Sequence, residues 1–535
     1  MSLKRPLGAQ MSHALKSRGV DTIFGIPGVH NVELYRGIEE AGITHVLARH
    51  EQGAGFMADG YARATGRPGV AYVITGPGVC NIMTPMGQAY SDSVPMLVIS
   101  SCLERADRSM ARGRLHEMKD QEAAAATVCD WSLTAPDADA AYYLIDRALS
   151  EFSSQRARSK HIQVPIDVLG ELAAPAGPPP AVARPAQPAP EQVAAIAEML
   201  SRARRPLIIV GGGACHAVTE IRDLLSRTAA ASFATYAGRG IVAPDAPLDF
   251  GANLARPDSA DIIHSADLVL VLGSEMSETD LWRDHLGHGA PLIRVDIDPL
   301  SLNDRQGNDI KVQADTAAFV TALLSALPDA APSDWTLNEV ADARIRFRAA
   351  TEAERPGIAE IADAMMAALP SDTMIYSDMT QFAYVAKETV TMAAPGRWHH
   401  PFGFGTLGYA LPAAIGGKIG RGAAPVLAIA GDYGFHYTMQ ELGVAVELGL
   451  SLPIIVWDNE KLQEIEASMV RSQIAPNSVV ARNPDFCRLA EAFGAHAVAP
   501  ATLGEMQTEI TAAFARSGPT LIHVTPAVTP AVTPN

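Results

Sequence analysis

Five cysteines in 535 residues are too few and too scattered to staple a fold or cage zinc. Cys80, Cys102, Cys129, Cys215 and Cys487 show no paired ligand spacing, so they read as reduced core or cleft residues. Positive charge is also short: 42 Lys and Arg against 59 Asp and Glu leave −17 at pH 7. That balance excludes a surface built for nucleic acid or an anionic membrane, which needs clustered cations. Apolar runs are strand-length, Ala266 to Leu272 among the longest, so no segment is expected to span a bilayer. No apolar leader precedes Gly8, Met1-Ser2-Leu3 reads as a vector remnant, and the expected compartment is the cytoplasm.

Apolar residues are plentiful, 48% against 19% charged, which implies buried sheet and packed helix in three or four domains. Strand-like runs alternate with amphipathic helices up to about Leu169, at Tyr72–Thr75, Pro95–Ser100 and His161–Ile166. Buried βαβ units have this signature, and a parallel sheet is expected. The stretch Ala173 to Pro190, centred on Pro178-Pro179-Pro180, reads as a stiff extended linker. A second α/β unit has strands at Pro206–Val210, Leu268–Leu272 and Leu292–Asp296, and ends near Pro328–Trp335. A charged helix, Asn338–Glu354, leads to a third unit that starts near Ile358. Its strands are expected at Met374–Ser377, Val426–Ala430, Ile454–Trp457 and Thr520–Val524. The tail repeat Val524–Pro530 reads as disordered or surface-bound.

Three short segments, each at the end of an apolar run, carry candidate chemistry. Glu51, in Arg49-His50-Glu51, follows the run Ile43–Ala48 and precedes a small-residue helix, Gln52–Thr65. A first-turn glutamate ordinarily serves the helix dipole. Glu51 stands out because strand ends of parallel sheets border clefts, and Gly53, Ala54 and Gly55 leave room for a ligand. The run Ile74–Asn81 holds Gly76-Pro77-Gly78 and Asn81. Downstream, Gly431-Asp432-Tyr433-Gly434 follows one strand and Asp458-Asn459 the next, with a helix expected from Gly434 or Phe435 to Leu448. Carboxylate and amide oxygens are the hard donors that Mg²⁺ shares with phosphates.

Together these segments resemble the thiamine-diphosphate enzymes of the acetolactate synthase and pyruvate decarboxylase superfamily. The resemblance implies three doubly wound α/β domains with parallel sheets: pyrimidine-binding (1–172), central (191–330) and diphosphate-binding (356–535). It implies thiamine diphosphate and Mg²⁺ as cofactors. Glu51 would hydrogen-bond N1′ of the aminopyrimidine, with Gly76 and Asn81 beside the thiazolium. Gly405 and Leu407, in Gly403-Phe404-Gly405-Thr406-Leu407-Gly408, would support the bent cofactor, and Gly431, Asp432, Tyr433, Gly434 and Asn459 would line the diphosphate. Asp432, Asn459 and the Lys461 carbonyl would ligate the metal. Tyr433 stands where Gly or Ala is usual, and Asp458 replaces the first of two asparagines. His30 and His116 are candidates to orient or protonate the substrate; Gln121 and Gln381 are weaker ones. The family's pyrimidine and diphosphate ends meet across subunits, which implies a homodimer or homotetramer.

Gly211-Gly212-Gly213 hints at a nucleotide only weakly. Flavin-binding relatives carry Arg-Phe-Asp-Asp-Arg where this chain has Ser274–Asp280, so no FAD is expected. Phe24–His30, Glu33–Gly37, Arg49–Gly69 and Leu115-His116-Glu117 look most similar to the 5-guanidino-2-oxopentanoate decarboxylase branch. That branch implies loss of CO₂ from the 2-oxo acid of arginine. Glu117, Asp120, Glu464 and Glu466 are candidates to receive a guanidinium. The alternatives are an acetolactate-synthase-type carboligase, which apolar Ile465 would favour, and a catalytically silent cofactor-binding subunit.

Overall fold

The computed structural model describes residues 4–307, 309–328 and 333–529. Met1–Leu3, Pro530 and part of the Pro328–Trp335 boundary lie outside them. The chain forms two compact units. One holds the residues up to Ala183, Asp372–Thr380 and those from His400 onward; the other holds Arg184–Ser371 and Gln381–His399. No helix among the described residues is long and apolar enough to cross a membrane.

The first unit contains two parallel sheets. In one, the strands lie in the order Thr44–Leu47, Thr22–Gly25, Gly69–Val73, Met96–Cys102, Lys160–Pro165 and Trp131–Thr134. In the other, Met374–Ser377, Val426–Gly431, Pro453–Trp457, Thr520–Val524 and His496–Val498 lie side by side. The second unit has a parallel sheet in the order Ala231–Ala234, Pro206–Val210, Leu268–Leu272, Leu292–Asp296 and Ile310–Gln313. The central strands are apolar without alternation because both faces are covered. Leu207 and Ile209 enter one core cluster and Ile208 and Val210 another.

Chain order reverses between Thr22–Gly25 and Gly69–Val73, so a switch point lies at their carboxyl ends. Ligand crevices form at such points. In the central sheet the equivalent point, between Pro206–Val210 and Leu268–Leu272, is filled by backbone. Gly211 N donates to Leu272 O at 2.8 Å, and a Cβ on Gly211 would lie 2.3 Å from Gly273 O. The glycine run there serves close chain packing.

Two expectations need correcting. The helix predicted from Gly434 or Phe435 starts at Asp432, runs to Thr438, tightens to a 3₁₀ turn at Met439–Glu441 and resumes over Leu442–Glu447. The helix Ile358–Ala368 groups with the central unit, not with the sheet that follows it. Of the two readings of the tail, the surface-bound one describes it up to Thr529, where Leu503 N donates to Thr529 O at 3.0 Å. The segment 174–189 has neither helix nor strand, as a proline-rich linker should.

The helices Glu51–Thr65 and Ala410–Arg421 meet at backbone contact and join the two sheets of the first unit. A Cβ on Gly60 would lie 1.9 Å from Ala413 O, and one on Gly416 would lie 1.9 Å from Met57 O. Phe56 and Tyr409 pack edge to face beside them. Gly60→Ala should therefore cost about 1–3 kcal/mol by overpacking and lower the thermal midpoint. Gly504→Ala, in a helix with open space around it, should be neutral or stabilising by up to about 1 kcal/mol. Differential scanning calorimetry of the two variants checks the contrast.

Candidate active site

Glu51 opens the helix Glu51–Thr65, with His50 as its cap: the His50 ring nitrogen accepts from Gln52 N at 3.1 Å. The Glu51 side chain is buried, and its Oε2 accepts from Asn81 Nδ2 at 2.9 Å. Asn81 lies in the first turns of the helix Pro77–Ser91. The stretch Gly76–Asn81 is thus a helix start, with Gly76 as its cap and Pro77 at the first position. Gly76 has φ +73°, and a Cβ there would lie 2.6 Å from His116 O. No other residue fits that position. Its N–H donates to Gln121 Oε1 at 2.9 Å, while Gln121 Nε2 holds Ser101 O and Gln163 Oε1.

His30 and His116 come from separate loops and meet ring to ring at 4.8 Å, interplanar angle 68°. Each has a buried Nδ1 without a hydrogen-bond partner among the described residues. Burial, and then the neighbouring His116, hold the His30 imidazole below its usual pKa. A paired carboxylate and two unsatisfied imidazole nitrogens around Gly76 fit a polar heterocycle and a small substrate.

Asp432 begins its helix and is 4% exposed. Its Oδ1 accepts from Tyr433 N and its Oδ2 from Asn483 Nδ2, at 2.9 and 2.8 Å. Asn483 Nδ2 also donates to Asp458 Oδ1 at 2.8 Å. One amide donor thus bridges two carboxylates, as a cation would. Burial and then Asp458 raise the Asp432 pKa, although Asn483 and Tyr433 N counter them. Burial would raise Asp458 as well, but the hydrogen bonds from His523 (2.9 Å), Glu460 N and Asn483 hold it below the usual range. Asn459 is half-buried: its Nδ2 donates to Gln463 Oε1 at 3.1 Å and its Oδ1 accepts from Lys461 N at 3.3 Å. The exposed Lys461 sends its ammonium to Glu466 at 3.1 Å. Two carboxylates and an amide oxygen at the ends of neighbouring strands fit a hard divalent ion.

The Gly403–Gly408 loop is tied at both ends. Gly403 N donates to Asp92 Oδ1 at 2.8 Å and Gly408 N to Asp378 Oδ2 at 2.9 Å. Gly405 is exposed with φ +67°, and Leu407 is half-buried between the ties. A Cβ on Gly434 would lie 2.2 Å from Asp378 Oδ2, so Asp378 wedges the loop against the Asp432 helix. Gly431 precedes that helix as its cap. No hydrogen bond among the described residues joins the Glu51 cluster to the Asp432 cluster.

Four contributors escaped the sequence reading: Asp378, Glu441, Asn483 and His523. Asp378 follows the strand Met374–Ser377, the kind of position that drew attention to Asp432; Asn483 and His523 carry no local signal. Glu441 is fully buried, and its carboxylate accepts from Arg49 N at 3.1 and 3.2 Å. A Cβ on Gly53 would lie 2.3 Å from its Oε1, so the glycine that seemed to leave ligand room instead admits Glu441. The carboxylates offered for a guanidinium are already engaged. Glu117 accepts from Arg112 N and Arg114 N, Asp120 caps the helix Gln121–Ala126, and Glu466 pairs with Lys461.

Comparison with known proteins matches three parts of the chain to one family. Residues 5–124 match the thiamine pyrophosphate enzyme N-terminal TPP binding domain, 193–323 the central domain and 378–524 the C-terminal TPP binding domain. The chain is 45% identical to the probable 2-ketoarginine decarboxylase AruI of Pseudomonas aeruginosa, over 97% of this chain and 93% of that one. It is 28% identical to the acetolactate synthase isozyme 2 large subunit of Escherichia coli, over 97% and 95%. To the isozyme 1 large subunit of Escherichia coli it is 27% identical, over 97% and 94%.

Burial, against the Arg49 and His50 N–H groups, pushes the Glu441 carboxyl up to about 7 from an ordinary 4.5. The native state therefore holds an extra proton between those values, and stability is lost as pH rises from about 4.5 to about 7. Glu441→Gln keeps an acceptor for Arg49 N without the titration. Its unfolding free energy should fall less than the parent's between pH 5 and 8, by about 3 kcal/mol. Urea unfolding at both pH values measures the difference.

Proposed function

Because the chain belongs to the thiamine pyrophosphate enzyme family, we propose that it removes CO₂ from a 2-oxo acid with a guanidinium tail, using thiamine diphosphate and Mg²⁺. The observation that carries this reading is the grouping of Glu51, Asn81, His30 and His116 about Gly76 at the first switch point. When bound, thiamine diphosphate would supply the electron sink that decarboxylation of a 2-oxo acid requires. Glu51, oriented by Asn81, would hold the proton shared with N1′ of the pyrimidine ring. His30 and His116 would orient the substrate and return a proton to the product. Asp432, Asn459 and the Lys461 carbonyl would hold Mg²⁺ against the diphosphate, with Gly431, Tyr433 and Gly434 beside it. Gly405 and Leu407 would support the cofactor's middle.

The proposed assembly is a homodimer or homotetramer, in which the Glu51 cluster of one chain faces the Asp432 cluster of another. Apolar side chains exposed near both clusters support it: Val29 (67%) beside His30, Leu115 (62%) beside His116 and Ile465 (50%) in the helix that Asn459 bonds ask for a cover. The cytoplasm is the proposed compartment. For the substrate, the support is the 45% identity to a probable 2-ketoarginine decarboxylase. The 27–28% identity to acetolactate synthase subunits keeps the carboligase as the second reading.

Glu51→Gln should retain the parent's melting profile and lose roughly 10²- to 10⁴-fold in kcat, the range of general acid–base catalysis. A CO₂-release assay within threefold of the parent would remove Glu51 from the mechanism. For substrate, kcat/KM for 5-guanidino-2-oxopentanoate should exceed that for pyruvate and 2-oxobutyrate by roughly ten- to hundredfold. That is the worth of one hydrogen bond to a charged group. Acetolactate as the main product from pyruvate would move the assignment to the carboligase. No CO₂ from any 2-oxo acid would leave a silent subunit.

A further inference from the structure

Among the strands beside Gly69–Val73, one face is polar where a core is expected. The strand Lys160–Pro165 gives Ile162 and Val164 to an apolar core that also holds Leu97 and Ile99. The alternate residues, His161 and Gln163, pair with polar neighbours instead: Ser132 stands opposite His161, and Ser100 and Thr134 stand opposite Gln163. Ser100, Ser132, His161 and Gln163 are buried. His161 Nε2 bonds the Ser100 hydroxyl at 2.8 Å and its Nδ1 the Ser132 hydroxyl at 2.7 Å. Gln163 Nε2 donates to Thr134 Oγ1 at 2.8 Å. Burial brings His161 down to about 3, so its imidazole carries no charge near neutral pH.

Gln121 joins this layer to the cleft. Its Nε2 donates to Gln163 Oε1 at 2.8 Å and Ser101 O at 2.9 Å, with the Ser100 hydroxyl at 3.2 Å. Its Oε1 accepts from Gly76 N at 2.9 Å. Turned over, the amide would set N–H against N–H and carbonyl against carbonyl, so its partners fix one orientation. Thr75 is tied to the same strand: its N donates to Ser101 Oγ at 3.1 Å, and the two hydroxyls lie 2.8 Å apart. Two links lead on from Gly76. Its carbonyl accepts from Cys80 N at 3.0 Å, in the turn that carries Asn81, the partner of Glu51. Its Cα faces the His116 carbonyl, where a Cβ would lie 2.6 Å away. Gln121 itself opens the helix Gln121–Ala126, five residues beyond His116.

A buried layer of neutral hydrogen bonds contributes little net stability once the exchange with water is counted, and apolar groups of the same shape can replace both partners of such a bond. What an apolar side chain cannot do is aim two backbone segments. A fully satisfied polar network holds its members in one arrangement. We propose that Gln121 is a positioning residue for the decarboxylation: it acts through Gly76 rather than on the substrate. It fixes the Gly76 turn and the His116 loop to the strand Met96–Cys102, so that the Glu51–Asn81 pair and the His30–His116 pair keep one spacing. This role presupposes that Glu51, His30 and His116 serve that reaction.

The test compares the full chain, loaded with thiamine diphosphate and Mg²⁺, with three variants at a temperature where all are folded. Gln121→Met should lose roughly ten- to hundredfold in kcat for CO₂ release, the scale of a misplaced reacting group. Gln10→Met removes another buried glutamine amide of this unit, one that donates to Ala173 O at 3.1 Å. It should lower the thermal midpoint and leave kcat within about threefold. Gln121→Glu should work while its carboxyl is protonated, because the carbonyl oxygen then accepts from Gly76 N and the hydroxyl donates to Ser101 O or Gln163 Oε1. Its kcat relative to the parent should fall as pH rises from about 5 to about 8, the range into which burial raises a carboxyl. The hydrogen-bond partners at that position do not titrate, and His161 behind Ser100 stays uncharged. Hydrogen exchange read by mass spectrometry needs no turnover: Ile74–Asn81 should exchange faster in Gln121→Met, and Val426–Phe435 should keep the parent's rate. A Gln121→Met protein with kcat within about threefold of the parent overturns the role. So does a Gln121→Glu protein whose ratio to the parent is flat with pH, or exchange that rises equally in both segments. A parent that releases no CO₂ from any 2-oxo acid overturns the decarboxylase reading, with the exchange rates still deciding whether Gln121 holds Gly76.

Discussion

The first unit depends on the contact between the helices Glu51–Thr65 and Ala410–Arg421, which approach until backbone meets backbone at Gly60 and Gly416. Only glycine permits that distance, and the contact unites two sheets that would otherwise each cover their own core. Buried polar links set the register. The Tyr376 hydroxyl donates to Gly60 O at 2.7 Å, and the Tyr409 hydroxyl donates to Asp59 at 2.7 Å. Arg63 then pairs with Asp59 at 2.7 Å and Asp92 at 2.9 Å. Asp92 in turn holds Gly403 N, so a strut from one helix fixes the glycine loop beside the other. Breaking one member would strand a buried charge, which costs far more than the intact network contributes.

That rigidity lets the candidate active site keep carboxyl groups in poor solvent. Asp378 and Glu441 are both pushed up to about 7 by burial, and both take backbone N–H donors rather than a full counter-charge. Such groups order the chain without neutralising the site, which leaves room for the charges of a cofactor. The same carboxylates explain glycines that otherwise look like ligand clearance. Gly53 makes way for Glu441 and Gly434 for Asp378, while Gly76 makes way for the His116 carbonyl. Each glycine answers to a residue distant in the chain.

Much of this could be read from the amino-acid order. Strands Pro206–Val210, Leu268–Leu272, Leu292–Asp296, Met374–Ser377 and Thr520–Val524 fall where their apolar runs predict. A strand buried on both faces must be apolar throughout, and that signal is local. The places of Glu51, Gly76 and Asp432 at strand ends were legible for a related reason, because turn chemistry marks those ends. The start of the Asp432 helix was misplaced because nothing local distinguishes a helix beginning at the aspartate from one beginning two residues later.

What the order of residues could not decide was which distant segments touch. Arg49 N and Glu441 are 392 residues apart, and Asn483 lies 51 residues beyond Asp432 and 25 beyond Asp458. Periodicity and turn chemistry act over a few residues, so the sequence by itself determined strands, helix starts and the residue types at each cleft. Close packing acts between surfaces that lie far apart along the chain, so the tertiary structure alone decided which carboxylates are satisfied and which glycines are obligatory.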